Sequence, residues 1–228
     1  MNLFADAIAW LADPAHWQGA GGVPVRIGQH LLLTALALVV AAAIALPSGA
    51  LLGRTRNGGA VIGAVAGSAR ALSTIGVLTL VGLWLGIGIG PPLVALIVLA
   101  VPSLLAGAYS GVQSVPDETT SAARAIGMSG AQVIWRVEVP LALPVIVGGA
   151  RAAALQVVAT ATLAAYTANV GLGRYLFTGL KTQDYGQMLA GSILVILLAL
   201  ALELIFATLQ RIAARHASPS LPSKRTPS

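Results

Sequence analysis

Apolar residues in this chain come in long runs, with little of the two-residue or 3.6-residue alternation of a half-buried element. A helix needs roughly 20 mainly apolar residues to cross a bilayer's hydrocarbon core. Segments at about 29–53, 59–83, 91–113, 141–166 and 187–210 meet that length. The first includes Leu31-Leu32-Leu33 and Ala41-Ala42-Ala43, and its Pro47 is tolerated in a packed membrane helix. It ends at the basic turn Arg54-Thr55-Arg56-Asn57-Gly58-Gly59. The break Gly86-Ile87-Gly88-Ile89-Gly90-Pro91-Pro92 separates the second run from the third. The pattern predicts an all-α integral membrane protein with about five transmembrane helices.

The less apolar stretches have their own logic. Residues 3–17 mix Trp10, Trp17, Asp6, Asp13 and Pro14 with apolar residues. That mixture suits a short interfacial helix with tryptophans at headgroup depth, or alternatively an unstructured start. The opening Met1 to Asp6 lacks the basic region of a cleavable signal. Residues 114–139 are the least apolar, with Asp117, Glu118, Arg124, Arg136 and Glu138. Asp117 and Glu118 suit a helix start, where the dipole favours anions. Gly127 interrupts that helix, and Ser129 can cap a second one from Gly130 to Val137. Pro140 then opens the fourth span. Two short helices hinged at Gly127 can form a force-transmitting elbow or an ordinary connection. A tail with Pro219, Pro222, Lys224, Arg225 and Pro227 is expected to be disordered.

Composition agrees with the spans. Charged residues make up 9% of the chain and hydrophobic ones 57%, against about 25% charged in soluble domains. Too few charges exist to cover a water-facing globule. The net charge of +6 could suggest nucleic acid, but the cations sit in short segments between apolar runs. There they set orientation. One side holds Arg54, Arg56, Arg124, Arg136, Arg211, Arg215, Lys224 and Arg225. The other holds Arg26, Arg174 and Lys181. The eight-to-three split places the first group in the cytoplasm, the N-terminus outside and the tail inside.

Candidate chemistry is sparse. No cysteine exists, so no disulfide or thiolate metal site can form. His16, His30 and His216 lie in distant segments without metal-ligand spacing, and no GxSxG elbow occurs. The run Gly173 to Thr182 resembles a phosphate loop, but Leu180 separates Gly179 from Lys181. No catalytic or metal-ligating residue is expected. Small residues recur at intervals of four in Gly59/Gly63/Gly67, Gly49/Gly53 and Gly107/Gly111. Such faces let helices approach closely, within one bundle or against a second membrane subunit.

Charges inside the spans are costly and therefore informative. Arg151 lies about ten residues, roughly 15 Å, from the cytoplasmic end of its span. Glu203 lies about eight residues, roughly 12 Å, from the same side. The matched depths make an intramembrane ion pair one reading, and separate snorkelling or a wet cavity the other. Arg70 has no obvious acidic partner.

Two stretches carry a family resemblance. Ser121-Ala122-Ala123-Arg124-Ala125-Ile126-Gly127, followed by Val137-Glu138-Val139-Pro140-Leu141-Ala142-Leu143-Pro144, resembles the EAA loop of ABC importer permeases. Leu85 to Gly88, Val101 to Val112, Ala159 to Tyr166, Val170 to Gly173 and Phe177 to Leu180 extend it to the osmoprotectant permeases, over about residues 25–212. Ser121 departs from the motif's glutamate, Val139 from a leucine, Ser73 from an expected proline, and Asn169-Val170 from a small, glycine-rich pair.

The resemblance implies a type I importer permease arrangement with a cytoplasmic coupling helix at about 114–139. The domain plan is then 1–24 interfacial, 25–212 permease and 213–228 basic tail. It implies that Ser121, Ala122, Ala123, Gly127 and Pro140 belong to the ATPase-coupling region. It implies cytoplasmic ATPases that hydrolyse ATP, a second permease, identical or related, and an extracytoplasmic binding protein. This chain itself would hold no cofactor. The expected home is a prokaryotic inner membrane. The expected cargo is glycine betaine, choline or carnitine; methionine or an alkylsulfonate is the alternative, and a non-transporting scaffold the more distant one.

Overall fold

The computed structural model describes residues 2–55 and 58–217. Arg56, Lys224, Arg225 and the expected disorder of the tail lie outside those residues. The chain begins with α1 (Leu3–Ala12), a 3₁₀ turn at Pro14–Trp17 and the long α2 (Val23–Thr55). Two shorter helices follow, α3 (Gly59–Ala71) and α4 (Thr74–Leu85), then α5 (Gly90–Gln113). The elbow is α6 (Asp117–Ala125), α7 (Gly130–Val133) and a π turn at Ile134–Glu138. It runs into α8 (Val139–Thr160), followed by a 3₁₀ turn at Ala161–Leu163 and α9 (Ala164–Thr167). The chain closes with α10 (Gly173–Thr182) and α11 (Tyr185–Ala217).

Among the described residues, four helical stretches are long and apolar enough to cross a membrane: Val23–Thr55, Gly90–Gln113, Gly130–Thr167 and Tyr185–Ala217. The fifth expected span, 59–83, is broken at extended residues Leu72 and Ser73. Ser73 causes the break by capping α4, its hydroxyl accepting from the Gly76 N–H at 3.3 Å. Thus a serine cap stands where the resemblance expects a proline. Together α3 and α4 return the chain toward the end of the bundle where α5 starts: Gly59 lies against Tyr109, while Thr74 and Leu78 lie near Pro92 and Ala95.

The fourth span also differs from expectation. Pro140 does not open a new helix, because the chain is helical from Gly130 onward. A proline clashes with the carbonyl four residues earlier and cannot donate to it. The π turn before it widens the backbone, with the Val139 N–H reaching back to the Ile134 carbonyl. At the other end of the chain, α11 continues to Ala217, past the expected span end.

The core joins α2, α5 and α8 through small residues: Ala37, Ala41, Ala45, Ala100 and Ala153 are all buried. Gly49 lies against the Leu105 carbonyl and Ala108, and Gly107 against Gly149, where any Cβ would come within 2.7 Å of backbone. These glycines set the approach of α2 to α5 and of α5 to α8. Gly63 and Gly67 behave otherwise. A Cβ on either would meet nothing within 4 Å, whereas Gly59 on the same helix lies against Tyr109. Leu32, Val39, Leu80, Leu83 and Leu204 are exposed, as on helices that face lipid.

Candidate functional site

Three polar assemblies interrupt the apolar bundle. The first is the elbow. Gly127 closes α6 with φ +90°, a conformation L side chains rarely adopt. Its N–H reaches the Arg124 carbonyl at 2.9 Å and the Met128 N–H reaches the Ala123 carbonyl at 3.2 Å. That pair of bonds is a Schellman closure, with glycine at the left-handed position. Ser129 and Gln132 then cap α7 reciprocally, side chain to backbone, at 3.4 and 2.8 Å. Sequence alone therefore sets the hinge: glycine stops one helix and serine starts the next.

The elbow's coupling candidates do not share one surface. Ser121, Ala122, Gly127 and Pro140 are exposed, but Ala123 is buried against the protein itself. It therefore packs within the chain rather than presenting an open surface. Two apolar residues that the pattern did not single out stand exposed instead, Ile126 at 81% and Trp135 at 72%. The elbow also borders a polar cleft of about 310 Å³, lined by Arg54, Asp117, Thr120, Ser121, Arg124 and Glu138 among others.

Arg54 ties this cleft to α2. Its Nε lies 3.1 Å from Glu138 Oε2, and Nη2 donates to Oε1 at 3.3 Å. The fork on carboxylate is bidentate, and Glu138 is buried while Arg54 is partly exposed. A separation of 84 residues hid the pair from sequence reasoning. Glu138→Ala is expected to destabilise the solubilised protein by about 1–3 kcal/mol. Arg54→Ala should do the same, and the double variant should be little worse than either. Thermal unfolding checks this; additive losses would show that the two side chains act separately.

The second assembly is within the membrane region. Arg151 on α8 grips Glu203 on α11 with Nε donating to Oε2 at 2.8 Å and Nη2 donating to Oε1. Arg151 Nη1 also donates to Gln210 Oε1 at 3.2 Å, and Gln210 Nε2 donates to the Pro144 carbonyl at 3.3 Å. Gly148 leaves room for that glutamine. Removing either charge leaves the other without its partner in a poorly solvating medium. Arg151→Ala and Glu203→Ala should each cut folded yield several-fold, and the double variant should recover part of it. A double variant with the product of both losses would show no coupling.

The third assembly is at the opposite end from the elbow. Arg26, Gln29 and His30 project from the start of α2 onto residues 169–172. Arg26 Nη1 donates to the Asn169 carbonyl at 2.7 Å, and Nη2 to Asn169 Oδ1 at 3.1 Å. Gln29 Oε1 accepts from the Gly171 N–H at 3.1 Å. His30 is 1% exposed, its Nε2 at 2.8 Å from the Val158 carbonyl and its Nδ1 at 3.4 Å from the Leu172 nitrogen. Those partners assign the proton to Nε2, since Nδ1 must accept. Asn169, a departure from the family pattern, thus supplies two acceptors to Arg26. Nearby, Tyr175 donates to the Gly21 carbonyl at 2.7 Å, and burial pushes its phenol above the ordinary range. Trp10 of α1 stacks on His16 at 4.0 Å and meets Tyr175 edge-on at 5.0 Å.

Together the three assemblies brace a bundle at both ends and in the middle. Comparison with known proteins gives the bundle its place. The family described as binding-protein-dependent transport system inner membrane component matches residues 31–218. This chain belongs to that family. The permease is 33% identical over 192 residues to the glycine betaine/carnitine/choline transport system permease protein OpuCB of Bacillus subtilis (strain 168), covering 84% of this chain and 88% of that one.

It is 33% identical over 213 residues to the osmoprotectant import permease protein OsmW of Salmonella typhimurium, covering 90% and 95%. The permease's fold resembles that of the inward-facing MetNI methionine ABC transporter, with TM-score 0.69, 22% identity and coverage of 83% and 95%. An amino acid ABC transporter gives TM-score 0.63, 18% identity and coverage of 93% and 97%. The architecture is therefore that of a type I ABC importer permease, and the permease is a multi-pass membrane component of such a transport system.

Proposed function

We propose that this permease pairs with a second copy or a related chain to form the translocation pathway of an ATP-driven importer for small osmoprotectants, such as glycine betaine, choline or carnitine. The observation that carries the reading is the hinged elbow. It presents Ile126 and Trp135 outward, continues without a break into α8 and is clamped to α2 through Arg54 and Glu138. A push on the elbow therefore reaches two spanning helices at once. Partner ATPases hydrolyse the ATP; this chain contributes alternating access and no catalytic group. An extracytoplasmic binding protein delivers cargo to the end formed by α1, α10 and the start of α2. The basic elbow end faces the cytoplasm, the N-terminus lies outside and the C-terminus inside, following the excess of Lys and Arg.

The relatives named for osmoprotectant transport supply the cargo class. The test is co-purification: tagged permease, expressed with the ATPase and binding protein of its own system, should retain the ATPase in detergent. ATPase activity should rise when the binding protein is loaded with glycine betaine. A permease that purifies without any ATPase would instead support the scaffold reading.

A further inference from the structure

A further cavity is used by none of the three assemblies. It lies between α9 and α10, has a volume of about 310 Å³ and is lined by Tyr166, Arg174, Phe177, Thr178, Lys181 and Thr182, with Ala165 behind. That volume is at the small end for ligand pockets, about 300–1,000 Å³, and suits a small solute. Arg174, Phe177, Thr178 and Lys181 follow the spacing i, i+3, i+4, i+7 and so share one face of α10. The opposite face is fixed. Tyr175 is bonded to Gly21, Gln187 donates to the Tyr175 carbonyl at 3.2 Å, and Gly179 lies against Met188. The basic face is thus held in place by a buried one.

The lining combines two chemistries. Arg174 and Lys181 supply two positive charges. No acidic residue lines the cavity, and among the described residues neither cation is in an ion pair. Tyr166 and Phe177 supply two aromatic rings with centroids 6.0 Å apart and planes tilted by 54°. An arginine and a lysine recognise carboxylate. Aromatic faces attract quaternary ammonium groups whose cation lies within about 6 Å of the ring centre. Carboxylate and trimethylammonium occur together in a zwitterion. A solute carrying only the ammonium would meet two like charges.

We propose that the cavity between α9 and α10 is a cargo site on the permease itself, and that it selects trimethylammonium solutes bearing a carboxylate over those without one. Arg174 and Lys181 take the carboxylate, and Tyr166 and Phe177 face the ammonium. The inference rests on the osmoprotectant reading above and sharpens it. The stretch Gly173 to Thr182 then has a use unlike a phosphate loop's: its side-chain cations, rather than its backbone amides, meet the anion.

Glycine betaine and choline make the cleanest comparison, since both carry trimethylammonium and only the first carries carboxylate. The complete transporter is reconstituted in neutral-lipid vesicles and, separately, in vesicles containing anionic lipid. Uptake of each labelled solute is then measured with saturating loaded binding protein. In the Arg174→Gln/Lys181→Gln double variant the ratio of glycine betaine to choline uptake should fall about tenfold, the effect of losing charge-assisted hydrogen bonds. Arg174→Lys should restore part of the ratio, and Tyr166→Ala should slow both solutes. An equal fall for both solutes in the double variant would overturn the inference, because the cations would then serve docking of the binding protein or the fold. A loss seen only with anionic lipid would overturn it in favour of a headgroup site. Wild-type transport of choline alone would also overturn it. Wild-type transport of neither solute would refute the osmoprotectant reading itself, and this inference with it.

Discussion

Gly127→Val should abolish ATP-driven uptake while leaving the chain in the membrane. Gly127 holds φ +90° between α6 and α7 and closes α6 with a Schellman pair of hydrogen bonds. A β-branched residue at that angle costs about 1–3 kcal/mol in backbone strain. A Cβ there would meet nothing within 4 Å, so the bundle itself is not obstructed. Opening the hinge relieves the strain, and doing so moves exposed Ile126 relative to exposed Trp135. Asparagine, which tolerates left-handed backbone, should be the mildest replacement and alanine intermediate. Membrane insertion, ATPase retention and uptake are read together. Wild-type uptake by the valine variant would show that hinge geometry does not govern coupling.

Gly173→Ala should be the most damaging small substitution in the chain. A Cβ on Gly173 would overlap the Thr162 carbonyl oxygen and come within 2.7 Å of its carbonyl carbon. The obstacle is backbone, so no side-chain rotation relieves it. The start of α10 must lift from the 3₁₀ turn at Ala161–Leu163. That movement strains the neighbouring bonds that the Gly171 and Leu172 N–H groups donate to Gln29 Oε1 and His30 Nδ1. Overpacking usually costs about 1–3 kcal/mol, and a fixed backbone contact belongs at the upper end of that range. The variant should show reduced folded yield, a lowered melting temperature and impaired uptake. An unchanged melting temperature would mean that α10 is not seated as described.

The spans were legible because an apolar run of membrane length allows few alternatives. The elbow was legible because Gly127 and Ser129 are local signals read over three or four residues. Arg151 and Glu203 could be weighed as a pair because depth in a helix follows from counting residues, and the structure places them side by side. The features that escaped are of two kinds. Arg54–Glu138 and Arg26–Asn169 join residues 84 and 143 positions apart, and nothing in a single sequence links such positions.

The break at Leu72–Ser73 escaped for a different reason. Its surroundings are uniformly apolar, and one serine hydroxyl decides between a continuous helix and a capped one. Pro140 misled because a π turn absorbs the clash that usually ends a helix. The small-residue faces show the same limit. Gly107 meets Gly149 while Gly63 and Gly67 meet nothing in this chain, although all share one sequence spacing. The exposed pair would offer a close-packing face to the second permease proposed above.

As proposed, this permease couples ATP hydrolysis at the elbow end to solute import from the other end. The most direct measurement is uptake of labelled glycine betaine into vesicles that contain the complete transporter, with ATP supplied on the ATPase side and loaded binding protein on the opposite side. Accumulation that requires both, and that stops in Gly127→Val, is the predicted result. Accumulation independent of ATP, or none with every component present and assembled, would contradict the claim.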